Sequence, residues 1–306
     1  MSSNNKPQSN KYKAPLSHIL SPGHSACAGC GMIIAYRLLL DAAGPNTIIT
    51  NATGCSEVTT TQYPMTAFKV PWIHSLFENP TCLASGILAA LKYQKKDQGV
   101  NIIAVGGDGA TFDIGFAHLS GLWERGDNVL YVCFDNEAYQ NTGYQYSSAT
   151  PLGANTTTTP PGKKSQGNTQ YKKDMIKVAL AHNLPFIATA TTGYPLDIVS
   201  KVKRALAIKG PKYLQIYTPC VPGWGIESKD TIGVAQLAVQ SGSYPIIEYV
   251  NGVLTNKIKI TKKIPVEEFL KLQTRFKHLF KDAAGQAEIN KWQKLADANI
   301  RNYELM

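Results

Sequence analysis

Asn101-Ile-Ile-Ala-Val-Gly-Gly-Asp-Gly-Ala110 and Val129-Leu-Tyr-Val-Cys-Phe-Asp-Asn-Glu-Ala-Tyr-Gln-Asn-Thr142 are apolar runs that each end in small and polar residues. Between them Asp108 and Asn136 lie 28 positions apart. A strand ending in glycines, a crossover helix and a second strand fill that interval as one right-handed βαβ unit. Asp108 and Asn136 then fall at the carboxyl ends of neighbouring parallel strands, where open α/β sheets bind ligands. A carboxylate and an amide oxygen, beside glycines that let backbone N–H groups approach closely, suit a hard cation carrying a diphosphate.

Outward from this unit the pattern repeats. Met32–Ala43 has helical periodicity and stops at Gly44-Pro45, Thr47–Thr50 is a short strand, Pro71–Phe77 is strand-like, and Thr81–Tyr93 reads as a buried helix. After a proline-, glycine- and threonine-rich loop over Ala149–Asn168, helices over Thr169–His182 and Pro195–Ile208 alternate with strands over Phe186–Thr191 and Tyr213–Tyr217. Such alternation predicts an α/β protein with a parallel sheet and helices on both faces. Beyond Pro222 it breaks down into a hairpin around Asn251-Gly252 and two helices, Pro265–Phe280 and Gln286–Tyr303. The expected division is a polar, disordered tail over 1–14, a binding domain over 15–225, and a C-terminal extension over 226–306 packed on that domain or on a partner.

The chain of 306 residues is long enough for a sizeable core. It has no apolar h-region at its start and no uninterrupted apolar run long enough to span a bilayer, which points to a soluble cytoplasmic protein. Its net charge of +10 favours acidic partners or anionic substrates. No helix-turn-helix, zinc-finger or RNA-binding signature accompanies that charge, so nucleic acid is not expected.

Of six cysteines, Cys133 sits in an apolar strand and Cys82 at a helix start, both as core residues. The other four, Cys27, Cys30, Cys55 and Cys220, each lie in a loop where an element ends. One C-x-x-C turn with two distant thiolates fits structural zinc or a [4Fe–4S] cluster. The wide spacings after Cys30 suit a buried cluster better. A zinc-stabilised nucleic-acid-binding protein would use the cysteines and the charge, but would leave the spacing of Asp108 and Asn136 without a purpose.

Gly107-Asp-Gly109, then 25 residues, then Asp135-Asn136 resembles the motif that binds thiamine diphosphate through Mg²⁺. Cys27-Ala-Gly-Cys-Gly31, Asn51-Ala-Thr-Gly-Cys55, Tyr139-Gln-Asn-Thr-Gly143 and Pro219-Cys-Val-Pro-Gly-Trp-Gly225 resemble the 2-oxoacid:ferredoxin oxidoreductases, specifically the beta subunits of the multi-subunit pyruvate:ferredoxin enzymes. The likeness covers roughly residues 15–280.

It implies a thiamine diphosphate-binding fold and a reversible conversion of pyruvate, coenzyme A and oxidised ferredoxin to acetyl-CoA, CO₂ and reduced ferredoxin. 2-Oxoisovalerate, 2-oxoglutarate and oxalate are the sibling substrates. By the resemblance, Cys27, Cys30, Cys55 and Cys220 hold a [4Fe–4S] cluster, and Asp108, Asn136 and the Ala138 carbonyl hold Mg²⁺. Cys55, Gly107, Gly109, Ala110 and Tyr139 line the cofactor, and Asn141 faces its reacting carbon. Partners are alpha-, gamma- and delta-type subunits and ferredoxin. Met32 stands where single-chain members carry a glutamate that approaches the cofactor, so that contact is not carried over. Thiamine chemistry also needs an activating carboxylate. None of Glu57, Glu78, Glu124 or Glu137 has a spacing argument for it, and in the family the alpha subunit supplies it. His24, His74 and Phe112 read as structural residues.

Overall fold

A computed structural model describes residues 18–306, so the expected tail and the start of the expected binding domain lie outside the described residues. Eight strands form one sheet: β1 (Thr47–Asn51), β2 (Trp72–His74), β3 (Asn101–Gly107), β4 (Leu130–Asp135), β5 (Phe186–Thr191), β6 (Lys212–Tyr217), β7 (Ile247–Val250) and β8 (Val253–Lys257). Their order is β2-β1-β3-β4-β6-β5-β7-β8, parallel from β2 through β5 and antiparallel at β7 and β8. The expected mostly parallel sheet is therefore present.

The central strands β4, β5 and β6 are buried along their whole length, as parallel strands covered on both faces must be. Alternate side chains serve alternate layers. Val105, Val132 and Phe134 point to helices Gly31–Ala43 and Pro195–Ala207, while Ala104, Tyr131 and Cys133 meet helices Pro80–Tyr93, Phe116–Glu124 and Met175–Ala181.

The chain leaves β1 toward β2 on one side, and β3 lies on the other side. The strand order thus reverses between β1 and β3, which opens a crevice at their carboxyl ends. Register places Gly107 beside Phe134, so Asp108 and Asn136 emerge within one residue of the same level at that edge. The crossover begins as a wide π-helical turn, Gly109–Ile114, before helix Phe116–Glu124.

Several expectations need correction. The helix expected over 169–182 is confined to Met175–Ala181, because Asp174 caps it, accepting from the Lys177 N–H at 3.0 Å. Helix Thr231–Gln240 was not anticipated. The segment 265–280 is split into helix Val266–Leu270 and the 3₁₀ turns Thr274–Phe280. Helix Pro80–Tyr93 is only half-buried, and Cys82 is exposed rather than in the core.

The hairpin around Asn251-Gly252 is present, with both residues left-handed (φ 48° and 78°) as a type I′ turn requires. It pairs with β5 and so extends the main sheet. Helix Ala283–Asn302 and the turns before it bury Phe269, Phe276 and Trp292 in a third core together with Trp224.

Candidate active site

Two cavities open at the carboxyl edge of β1, β3, β4 and β6. The first, about 280 Å³, is lined by Thr53–Ser56, Gly107–Ala110, Asn136 and Ala138–Thr142, with Met32, Phe77 and Phe134. The second, about 180 Å³, carries Cys27, Cys30, Cys55 and Cys220. Met32, Cys55, Asn136, Gln140 and Asn141 belong to both and form the wall between them. Every residue expected at the site thus lies on one cavity or on that wall.

The turn after β4 shapes the first cavity. Glu137 has φ 66°, a left-handed conformation unusual for a residue with a side chain. That kink sends Glu137 inward and brings the Asn136 side chain and the Ala138 carbonyl to one place. The Asn136 amide oxygen lies 3.0 Å from the Ala138 carbonyl oxygen and 2.8 Å from an Asp108 carboxylate oxygen. The Asn136 amide thus sits between two oxygen acceptors. Rotating the amide would convert these approaches to hydrogen bonds. A hard divalent cation would satisfy them directly, because oxygens at about 2.1 Å in octahedral array are about 3 Å apart. The donor set therefore fits Mg²⁺.

Asp108 is 1% exposed. It accepts from the Ser147 hydroxyl at 2.5 Å and the Asn136 N–H at 3.3 Å. Burial, and next the nearby Asp135 carboxylate, push its carboxyl up to about 8, a penalty that a bound cation would reverse. On the opposite wall, the Tyr139 ring lies so close over Gly109 that any side chain there would overlap it. Tyr139 is itself anchored by donating to Asp113 at 3.2 Å.

Glu137 is held by an ionic cluster. Its carboxylate accepts from Lys172 at 3.0 Å, Tyr217 at 3.1 Å and Arg275 at 2.6 Å, while Lys172 also meets Asp135 at 2.5 Å. Burial raises Glu137, but the two cations outweigh it and hold the carboxyl below the usual range. Arg275 stacks on Trp224 at 4.0 Å. Ser147, Lys172 and Arg275 were not anticipated, since they come from a long loop and the C-terminal segment and carry no motif spacing.

The cysteine cavity forms where three loops meet. Gly31 opens the first helix so close to the 218–219 backbone that an added Cβ would lie 2.8 Å from the Pro219 carbonyl. Thr231 donates to the Gly29 carbonyl at 2.6 Å, which holds the C-x-x-C turn in place. Among the described residues no three Cys, His, Asp or Glu side chains converge as ligands of a single ion. The four thiols all line the second cavity, where cysteines could serve as the thiolate ligands of an iron–sulfur cluster. Burial first, and the neighbouring cysteines next, push Cys55 up to about 12; burial leads the same rise in Cys220.

No glutamate lines the first cavity, where Asp108 supplies the one carboxylate. Glu137 is committed to its ionic cluster. His74 bonds Thr53 at 2.8 Å, but neither it nor His24 lines a cavity, and Phe112 is fully buried in the core.

The model of the thiamine pyrophosphate enzyme C-terminal TPP-binding domain matches residues 52–216. Pyruvate synthase subunit PorB of Methanosarcina barkeri is 50% identical over 292 residues, covering 95% of this chain and 98% of that one. The PorB subunit of Methanocaldococcus jannaschii is also 50% identical, over 94% and 97%. Ketoisovalerate oxidoreductase subunit VorB of Pyrococcus abyssi is 42% identical, over 89% and 91%. A 2-oxoglutarate:ferredoxin oxidoreductase structure from Magnetococcus marinus shares the fold, with a TM-score of 0.55 at 21% identity over 76% of this chain and 81% of that one.

Replacing Lys172 by Met leaves Asp135 and Glu137 buried without their shared cation. The expected cost is about 3 kcal/mol of unfolding free energy. Urea denaturation of K172M against the unaltered chain measures it, and an unchanged midpoint would show that the cluster does not hold the 135–138 turn.

Proposed function

We propose, from the premise that this chain belongs to the thiamine pyrophosphate enzymes and among them to the pyruvate synthase PorB subunits, that it is the cofactor- and cluster-bearing beta subunit of a cytoplasmic pyruvate:ferredoxin oxidoreductase. The supporting observation is the pair of cavities with a common wall, one presenting converging oxygens and the other four thiols. Thiamine diphosphate supplies, when bound, the carbanion chemistry that decarboxylates a 2-oxoacid, and a [4Fe–4S] cluster supplies an electron acceptor beside it.

The chain's own residues bind and orient. Asp108, Asn136 and the Ala138 carbonyl would hold Mg²⁺ against the diphosphate, and Gly107, Gly109 and Ala110 let backbone approach its oxygens. Cys27, Cys30, Cys55 and Cys220 would carry the cluster, each thiol giving up its proton to become a ligand. Asn141, exposed on the wall between the cavities, offers its amide to the substrate oxygen. Met32 and Phe77 add apolar surface to a lining that also carries Thr53, Ser56, Gln140 and Thr142.

The activating carboxylate is supplied by another subunit, so the active site is completed at an interface with an alpha-type partner. Gamma- and delta-type subunits and ferredoxin complete the electron path, and coenzyme A takes the acyl group. The net charge of +10 favours an acidic electron carrier such as ferredoxin. Among the described residues no helix is long and apolar enough to cross a membrane.

Three measurements test this reading. Purified without oxygen with its partner subunits, the complex is expected to reduce a dye with pyruvate and coenzyme A faster than with 2-oxoisovalerate or 2-oxoglutarate. The chain alone is expected to be inert, and no reduction by any 2-oxoacid in the complex defeats the proposal. Asp108→Ala is expected to weaken Mg²⁺-dependent thiamine diphosphate binding by more than about a hundredfold, and calorimetry showing unchanged affinity removes Asp108 from the cation site. Cys55→Ser is expected to lose the broad visible absorption of a cluster and its roughly four iron atoms per chain; unchanged iron content removes Cys55 as a ligand.

A further inference from the structure

The Asn136 residue faces two ways. Its side chain lines both cavities, while its backbone carbonyl accepts two hydrogen bonds. One comes from the Gln140 side-chain amide at 2.7 Å and the other from the Trp224 indole N–H at 2.9 Å. Trp224 ends the short helix Val221–Trp224 that begins at Cys220, so its bond ties the cysteine loop to the cation loop. Gln140 lies in the wall between the cavities and is 8% exposed, yet its side-chain oxygen has no hydrogen-bond partner. That oxygen presses on Gly223, where any side chain would overlap it. Trp224 is itself immobilised, fully buried with Tyr217 at 5.2 Å on one side and Arg275 at 4.0 Å on the other.

Buried polar contacts of this kind transmit displacement, because a close-packed interior moves as discrete units rather than bending smoothly. An unpaired buried carbonyl is also costly, and it is retained here where the two loops touch.

Resting on the cofactor and cluster reading above, we infer that Gln140 and Trp224 are positioning residues that couple the cation loop to the Cys220 loop, so that Mg²⁺–thiamine diphosphate loading in one cavity alters the cluster in the other. The junction holds the two redox partners at a set separation, and it makes the electronic environment of the cluster depend on cofactor occupancy. Neither residue touches a reacting atom in this role. Both act through the Asn136 carbonyl.

The test follows the EPR signal of the reduced cluster in the assembled holoenzyme, stripped of Mg²⁺–thiamine diphosphate and then reloaded. Reloading is expected to shift the g-values of the unaltered complex. Trp224→Phe keeps an aromatic ring in the core and removes the indole N–H; Gln140→Leu keeps the volume and removes the amide. Each is expected to cut that shift by at least about half while iron content stays at that of the unaltered complex. No shift on reloading the unaltered complex, or an undiminished shift in both variants, overturns the coupling and leaves the cluster assignment standing. Loss of iron from both variants assigns them to scaffolding alone and also overturns it. Absence of iron and of any such signal from the unaltered complex instead overturns the cluster reading on which the inference rests.

Discussion

A buried glutamate in a left-handed turn organises this site. Glu137 would cost free energy on two counts, for its backbone conformation and for taking a carboxylate out of water. Lys172, Arg275 and Tyr217 offset the second cost, and their fixed positions enforce the first. Turned inward, Glu137 leaves Asn136 and Ala138 free to present oxygens on the other side of the same turn.

The anchor also explains why so much of the chain is needed for a site held on two strands. Lys172 arrives at the end of the long loop that precedes helix Met175–Ala181, and Arg275 comes from the C-terminal segment. Helix Ala283–Asn302 packs Trp292 against Phe269 and Phe276, and so fixes the turns that carry Arg275. The segment after β6 therefore supports the cation loop from behind, while helix Val221–Trp224 holds it from the side.

The sequence showed most of the sheet and the site's front face. Strands β3 and β4 are continuous apolar runs with one outcome in a buried parallel sheet, and Gly-Asp-Gly at the end of the first places a carboxylate at the crevice. The four cysteines were legible as loop residues at element ends, and the structure gathers them. What stayed hidden has two physical causes. Lys172 and Arg275 are single cations among 31 basic residues, and only the tertiary path distinguishes them from a solvated surface. Helix Thr231–Gln240 alternates small and apolar residues without charged punctuation, so no polar face marked its period. Cys82 misled because a small apolar context resembles burial, whereas the sheet below it ends short of the helix's outer side.

The electrostatics of the first cavity bear on the occupant proposed for it. Asp108, Asp135 and Glu137 place three carboxylates within one buried network, against the two cations Lys172 and Arg275. Asp108, the member nearest the cavity, carries the strain, and with its carboxyl pushed up to about 8 it keeps its proton at neutral pH. A neutral or anionic ligand gives that carboxyl no reason to lose its proton, whereas a cation does. A divalent cation held there would draw Asp108 into its ionised form, and the diphosphate of the proposed cofactor would meet the cation's remaining charge. The same reasoning accounts for the absence of any further carboxylate in the lining. A second acid there would compete for the cation, which is consistent with the proposal that a partner supplies the activating carboxylate.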